Sequence, residues 1–176
     1  MQTIDEVRDL VDIELLSLVG GYNPEDTKNN LRILEDIRKS CKDMGEGKKP
    51  TPEHIAEIGI ATNENVQIRD FLIGLRVEEQ QVAENSFDYL LYLGSTLKKE
   101  ICVPIATVFT TYLYEIGQQD VAKETLSDIL ELKPDYSLAR LLRGFFASGV
   151  PSEMMSEMAN QLHKQVIRNI EEGDSE

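Results

Sequence analysis

"GQQDVAKETLSDILELKPDYSLARLL", residues 117–142, decides the fold. With Gly117 as origin, Ala122 follows at +5, Leu130 at +13, Pro134 at +17 and Ala139 at +22. That is the spacing of a tetratricopeptide unit, two antiparallel helices joined by a tight turn. Gly117 lets the chain turn between close helices, and Ala122 lets helix backbones approach. Leu130 fills the groove between them, and Pro134 stops one helix and opens the next. A binding array needs about three such units. Shifted by one repeat in either direction, the Gly, Ala and Pro positions do not recur, and the next punctuation, "GVPSE" at 149–153, comes too soon. A lone unit of this kind reads as packing inside a single compact domain.

The rest of the chain has the same helical period. Thr3 and Glu6 have capping-box spacing at the start of a helix over about 3–19, which Gly20-Gly21 end. Its apolar residues (Ile4, Val7, Leu10, Val11, Ile13, Leu15, Leu16, Leu18, Val19) cover more than one face, so it calls for burial on two sides. Asn23-Pro24 sets an N-cap and first-turn proline for a second helix over 24–44. Its narrow seam is Leu31, Leu34, Ile37, Cys41 and Met44. Further helices are expected over 53–61, 64–76, 79–98, 103–116 (Pro104 in its first turn), 118–132, 135–148 and 151–171. No segment shows sustained two-residue alternation. The expectation is an all-α fold of about nine helices. Residues 1–44 form an N-terminal hairpin serving as dimerisation element or clasp, and 45–52 ("GEGKKPTP") a linker. Residues 53–171 form a helical domain containing the tetratricopeptide-like pair, and 172–176 a disordered acidic tail.

Hydrophobic residues are 41% and charged residues 28% of the 176, the balance of a soluble globular chain. No run approaches the roughly 18 apolar residues of a membrane span. The N-terminus lacks the basic region and cleavage site of a signal peptide, so a cytoplasmic location is expected. The net charge of −14 spreads along the chain and favours basic partners over nucleic acid, whose phosphates need a basic face. Cys41 and Cys102 sit in apolar helical surroundings and read as buried thiols, with no disulfide expected.

A more specific pattern lies in "PIATVFTTYLYEIGQQDVAKETLSDILELKPDYSLARLLRGFFASGVPSEMM", 104–155. A Tyr precedes a Gly (Tyr114, Gly117), an Ala-bearing helix (Ala122) leads into Pro134, Asp135, Tyr136, Ser137, Leu138, Ala139, Arg140, Leu141 and Leu142, and Gly149-Val150-Pro151 follows. Upstream, "VQIRDFLIGL" (66–75) carries Arg69 and Asp70, and "TPEHIAEIG" (51–59) precedes it. Over about 51–160 the chain resembles the C-terminal helical part of an actinobacterial family, domain of unknown function 4192. The resemblance implies an α/β N-terminal half in the family. Here "LLSLVGGYNPEDT" (15–27) is similar to its first motif, yet no strand pattern follows, so that half is absent or replaced. The chain is poorer in Ala and Arg than actinobacterial chromosomal members, which suggests a bacteriophage or mobile-element origin. The resemblance implies no activity.

No phosphate loop, nucleophile elbow or Cys-x-x-Cys is present. "EHIAE" sets Glu53 or His54 one turn from Glu57, and His163 lies far off, too few convergent donors for a metal. Arg69 with Asp70, and Asp135 (a candidate cap for the eighth helix) with Arg140, read as polar links between helices rather than a site. The Phe and Met cluster in "FFASGVPSEMMSEM" (145–158) reads as core filler, with a partner groove as the alternative. No catalytic, cofactor-binding or metal-ligating residue is assigned, and no cofactor. The expectation is a non-enzymatic protein acting through protein–protein contact, with a homodimer through the N-terminal hairpin as one form and no membrane or direct nucleic-acid binding. The alternatives are an acidic decoy for a basic host nucleic-acid-binding or defence protein, marked by carboxylates along one exposed ridge, and an enzyme whose constellation is unrecognised.

Overall fold

The computed structural model describes residues 1–173, within which there are nine α-helices, one 3-10 turn and no strand. The helices are α1 (Ile4–Leu18), α2 (Thr27–Gly45), α3 (Pro52–Glu64), α4 (Val66–Ile73), α5 (Gln80–Thr96), α6 (Lys99–Glu115), α7 (Gln119–Leu132), α8 (Ser137–Ala147) and α9 (Ser152–Gly173), with the 3-10 turn at Leu75–Val77. The all-α expectation is met. The tail assigned to 172–176 is helical at Glu172 and Gly173, and its remainder, 174–176, lies outside the described residues.

The first four helices carry side-chain caps at their starts. The Thr3 side chain accepts from the Glu6 amide while Glu6 accepts from the Thr3 amide, closing the box read in the sequence. The α2 start is shifted: Asn23 accepts from Glu25 N in a local turn, and Asp26, not Asn23, caps the helix. Thr51 caps α3 with Pro52 in its first turn. α6 begins a full turn earlier than expected, at Lys99, so Pro104 lies inside it. A proline there frees carbonyls of the preceding turn, and Asn63 of α3 donates to the Ile101 carbonyl at 2.8 Å.

α6 is the axle of the molecule. It is buried along most of its length and contributes to both cores. Its buried threonines, Thr107, Thr110 and Thr111, donate to carbonyls of the same helix, so they cost the core no unsatisfied hydroxyl. On one side lies the main core, built from α1–α6 and α9 around Ile33, Ile37, Ile58, Phe71, Leu72, Tyr89 and Val166. On the other, α7, α8 and the start of α9 enclose Tyr114, Ala122, Leu126, Ala139, Phe146 and Met155. The tetratricopeptide-like spacing does what it predicts: Gly117 turns with φ +88°, and Ala122 and Ala139 are fully buried between helices.

The first two helices follow one another in the chain but are distributed over the core. α1 packs on α3 and α5, whereas α2 packs on α5 and α9. Val7, Val11 and Leu15 of α1 and Ile33, Leu34, Ile37 and Cys41 of α2 belong to the same cluster as α3–α6. The 45–52 segment is therefore a turn within one core, not a boundary between two, and Pro50 is itself buried. The hairpin expectation treated neighbours in sequence as neighbours in space. The seams of both helices found better partners further along the chain.

Candidate functional site

Three polar links radiate from α4 and the 3-10 turn, each an arginine with a carboxylate and an aromatic ring. Arg69 pairs with Asp70 at 2.8 Å and also reaches the Tyr136 hydroxyl, tying α4 to the turn before α8. Arg76 stacks on Tyr112 at 4.4 Å and pairs with Glu115, which accepts from Ser156 of α9. Arg38 of α2 sits over Phe71 at 5.2 Å and donates from Nε to Glu78 at 2.7 Å. His163 Nε2 of α9 lies 3.2 Å from the same Glu78 oxygen. Burial pushes the Glu78 carboxyl up, but hydrogen bonds from His163 and Arg38 outweigh it and hold the group below its ordinary value. For Asp70 burial wins over Arg69, and its pKa is raised.

Of the residues singled out from sequence, these links take in Arg69, Asp70 and His163. Arg69 and Asp70 do form a polar link between helices, but their partner is Tyr136. Asp135 and Arg140 are exposed, and Asp135 does not cap α8, whose N-cap is Tyr136 without a side-chain bond. Tyr114 stacks on Phe146 at 4.2 Å and donates to the Val150 carbonyl at 2.6 Å, joining the "Tyr…Gly" and "GVP" stretches. His54 is hydrogen-bonded to Tyr89 at 2.8 Å, and Glu57 holds Arg32 through both its oxygens. Glu53 is exposed, and His163 is far from this helix in the core. Among the described residues no three His, Cys, Asp or Glu side chains converge as a metal site. Phe146 and Met155 are core, while Met154 and Met158 face outward. Cys41 and Cys102 are free and buried, and burial pushes their thiols up to about 12 and about 11.

An open groove of about 610 Å³ lies between the α5–α6 corner and the second half of α7. Gly94 and Leu97, then Cys102, Val103 and Ala106, form one side and the floor. Thr125, Ile129 and Leu132 form the other, with Asp128 and Glu131 on the rim and Lys99 opposite. Two features of α7 make this wall unusual. Asp120, Glu124, Asp128 and Glu131 stand on one exposed face at spacings of four, four and three. None has an ion-pair partner among the described residues, whereas on α2 the acids Glu35, Asp36 and Asp43 are each paired with a nearby Arg or Lys. Beside this ridge, Val121 and Leu132 are about half exposed. The groove can therefore hold an apolar side chain beside carboxylates that have no ion-pair partner among the described residues.

The fold and site define an all-α protein with one tetratricopeptide-like helix pair and an acid-rimmed groove beside it. A family model described as Domain of unknown function (DUF4192) matches residues 21–153, and the chain belongs to that family. The match reaches thirty residues further upstream than the 51–160 resemblance, taking in α2 and the turn after it, and leaves α1 and nearly all of α9 outside. No curated protein and no solved structure gave a match. Among the described residues no helix is long and apolar enough to cross a membrane.

Proposed function

We propose that this protein is a non-enzymatic binding protein that takes a basic, partly apolar segment of a partner protein into the α5–α6/α7 groove. The observation that carries this is the pairing of an apolar groove with a ridge of four carboxylates that have no ion-pair partner among the described residues. Isolated like charges one turn apart destabilise a helix by about 0.2–0.5 kcal/mol per pair. A cationic partner turns that cost into attraction and gives the encounter its speed and selectivity.

The test is fluorescence anisotropy with a 14-residue Leu/Lys amphipathic peptide, and its Leu/Glu counterpart as control. The wild type binds the Leu/Lys peptide, with an affinity that falls between about 0.1 and 1 M salt as the Debye length drops from roughly 10 to 3 Å. Combining Asp128→Asn, Glu131→Gln and Leu132→Gln weakens binding several-fold and flattens the salt dependence. Equal affinity in that variant refutes the reading.

The same ridge supports a second reading, an acidic decoy that occupies a basic nucleic-acid channel of another protein. A decoy needs charge and no groove. Binding that collapses with salt and is indifferent to Leu132→Gln alone favours it over the groove reading.

A further inference from the structure

The outer face of α1 is a second surface with different chemistry. Val7, Val11 and Leu15 point into the core. Leu10, Ile13, Leu16 and Val19 form an i, i+3 row on the other side, 38%, 62%, 78% and 74% exposed. Rows at this spacing are the ridges with which one helix packs against another. They surpass ordinary scattered apolar exposure, because three large side chains follow one another along α1 and Val19 continues the row at its C-cap. The helix lies outside the family-matched 21–153 and joins it through Gly20, which turns with φ +78°.

Charge says what covers it. α1 carries Asp5, Glu6, Asp9, Asp12 and Glu14 against Arg8 alone. Arg8 is committed to Asp5 and to the Ser95 carbonyl, and Glu6 to the cap at Thr3. Asp9, Asp12 and Glu14 have no ion-pair partner among the described residues. A second copy of α1 is a poor occupant. Antiparallel pairing about Ile13 sets Asp12 against Glu14 of the other copy, and parallel pairing sets every carboxylate against itself. A helix with an apolar stripe and Lys or Arg flanks covers the row and neutralises the acids together. We propose that the outer face of α1 docks a cationic amphipathic helix of a partner protein, as a surface separate from the α7 groove.

The test uses the full chain, the Leu/Lys peptide and its Leu/Glu counterpart. Ile13→Gln with Leu16→Gln removes the row without changing charge or touching the core, and circular dichroism verifies the fold. The expected result is at least about tenfold weaker binding of the Leu/Lys peptide. Asp9→Asn with Asp12→Asn weakens it by a smaller factor that vanishes at high salt, and the Leu/Glu peptide does not bind. Unchanged affinity in Ile13→Gln/Leu16→Gln overturns the proposal. If the groove variant alone weakens binding, the groove reading stands and this one falls; if the α1 variant alone does, the reverse holds. A wild-type dimer in sedimentation that the α1 variant dissolves makes the second copy the occupant and also overturns it.

Discussion

Gly74 is the position at which one added methyl group should do most harm. It closes α4 with φ −88° and ψ 1°, a conformation open to alanine, so its backbone does not require glycine. The space does. A Cβ built there would stand 2.0 Å from Nδ1, 2.4 Å from Cγ and 2.6 Å from Cβ of His163. The nearest atoms belong to a ring that is 6% exposed and packed 5.2 Å from Phe71. Turning the ring alone is not enough, because the His163 Cβ moves only with the α9 backbone. Gly74→Ala must therefore shift α9 or expel the imidazole from beside Glu78.

The magnitude follows from three effects. Overpacking a filled core costs about 1–3 kcal/mol. Disturbing a buried contact to a charged group adds about 1.5–3 kcal/mol. Reduced freedom of the unfolded chain returns about 0.4–1 kcal/mol. The net expectation is about 2–4 kcal/mol of destabilisation, read by urea unfolding, and a Tm lowered by roughly 5–15 °C. Limited proteolysis should find its new early cuts in α9. In the His163→Ala background Gly74→Ala should cost less but not nothing, since the contact with the His163 Cβ persists. A single variant within about 0.5 kcal/mol of wild type would refute the reasoning.

Two further expectations concern titratable groups. Burial lowers the pKa of His54 despite Glu57 and Asp36, so its contribution to stability is present above about pH 6.5 and lost as pH falls through the lowered folded value. Glu78, also lowered, contributes above about pH 4.3 and loses that contribution as pH falls further. Unfolding measured against pH should thus weaken in two stages on acidification, with His54→Gln removing the first and Glu78→Gln blunting the second; a single stage unaffected by either contradicts the assignment. Cys41, fully buried and pushed up to about 12, should resist a disulfide reagent at pH 8 in the folded chain and react once it is unfolded; rapid native labelling would mean this thiol is not enclosed.

Local signals in the sequence carry the helices and the α7–α8 pair. The capping box at Thr3, the cap at Thr51, and Gly117, Ala122 and Ala139 act through neighbours within a turn or two, so their roles are readable from spacing. Placement of whole helices depends on which seams meet, and no local rule fixes that. Hence α1 and α2 read as a pair but are split between α3 and α5. Pro104 looked like a start signal, since the preceding "KKEIC" has no clear cap, and the structure reports none at Lys98. His163 was weighed only as a lone donor. A signal was present: Ser156, Ala159, His163, Val166 and Ile170 recur at three and four residues, which sets the histidine on the buried seam of α9. The acidic row on α7 was equally legible from its spacing. The groove beside it was not, because three helices line it.

That α9 seam bears on how the family core is completed. The face that α9 buries is Met155, Ala159, His163, Val166 and Ile170, with Leu162 and Ile167 packed beside it. Its hold on the molecule comes in part from Ser156 on Glu115 and His163 beside Glu78. The receiving residues, Gly74, Arg76, Glu78 and Glu115, all lie within the matched 21–153, while His163 lies beyond it. Without α9, the space above Gly74 would be empty, and Glu78 would lose the His163 ring, 3.2 Å from the oxygen that Arg38 also reaches. The glycine and the carboxylate make physical sense only with the strap in place. In this chain α9 therefore completes the matched core, and α1 adds Val7, Val11 and Leu15 to the same cluster.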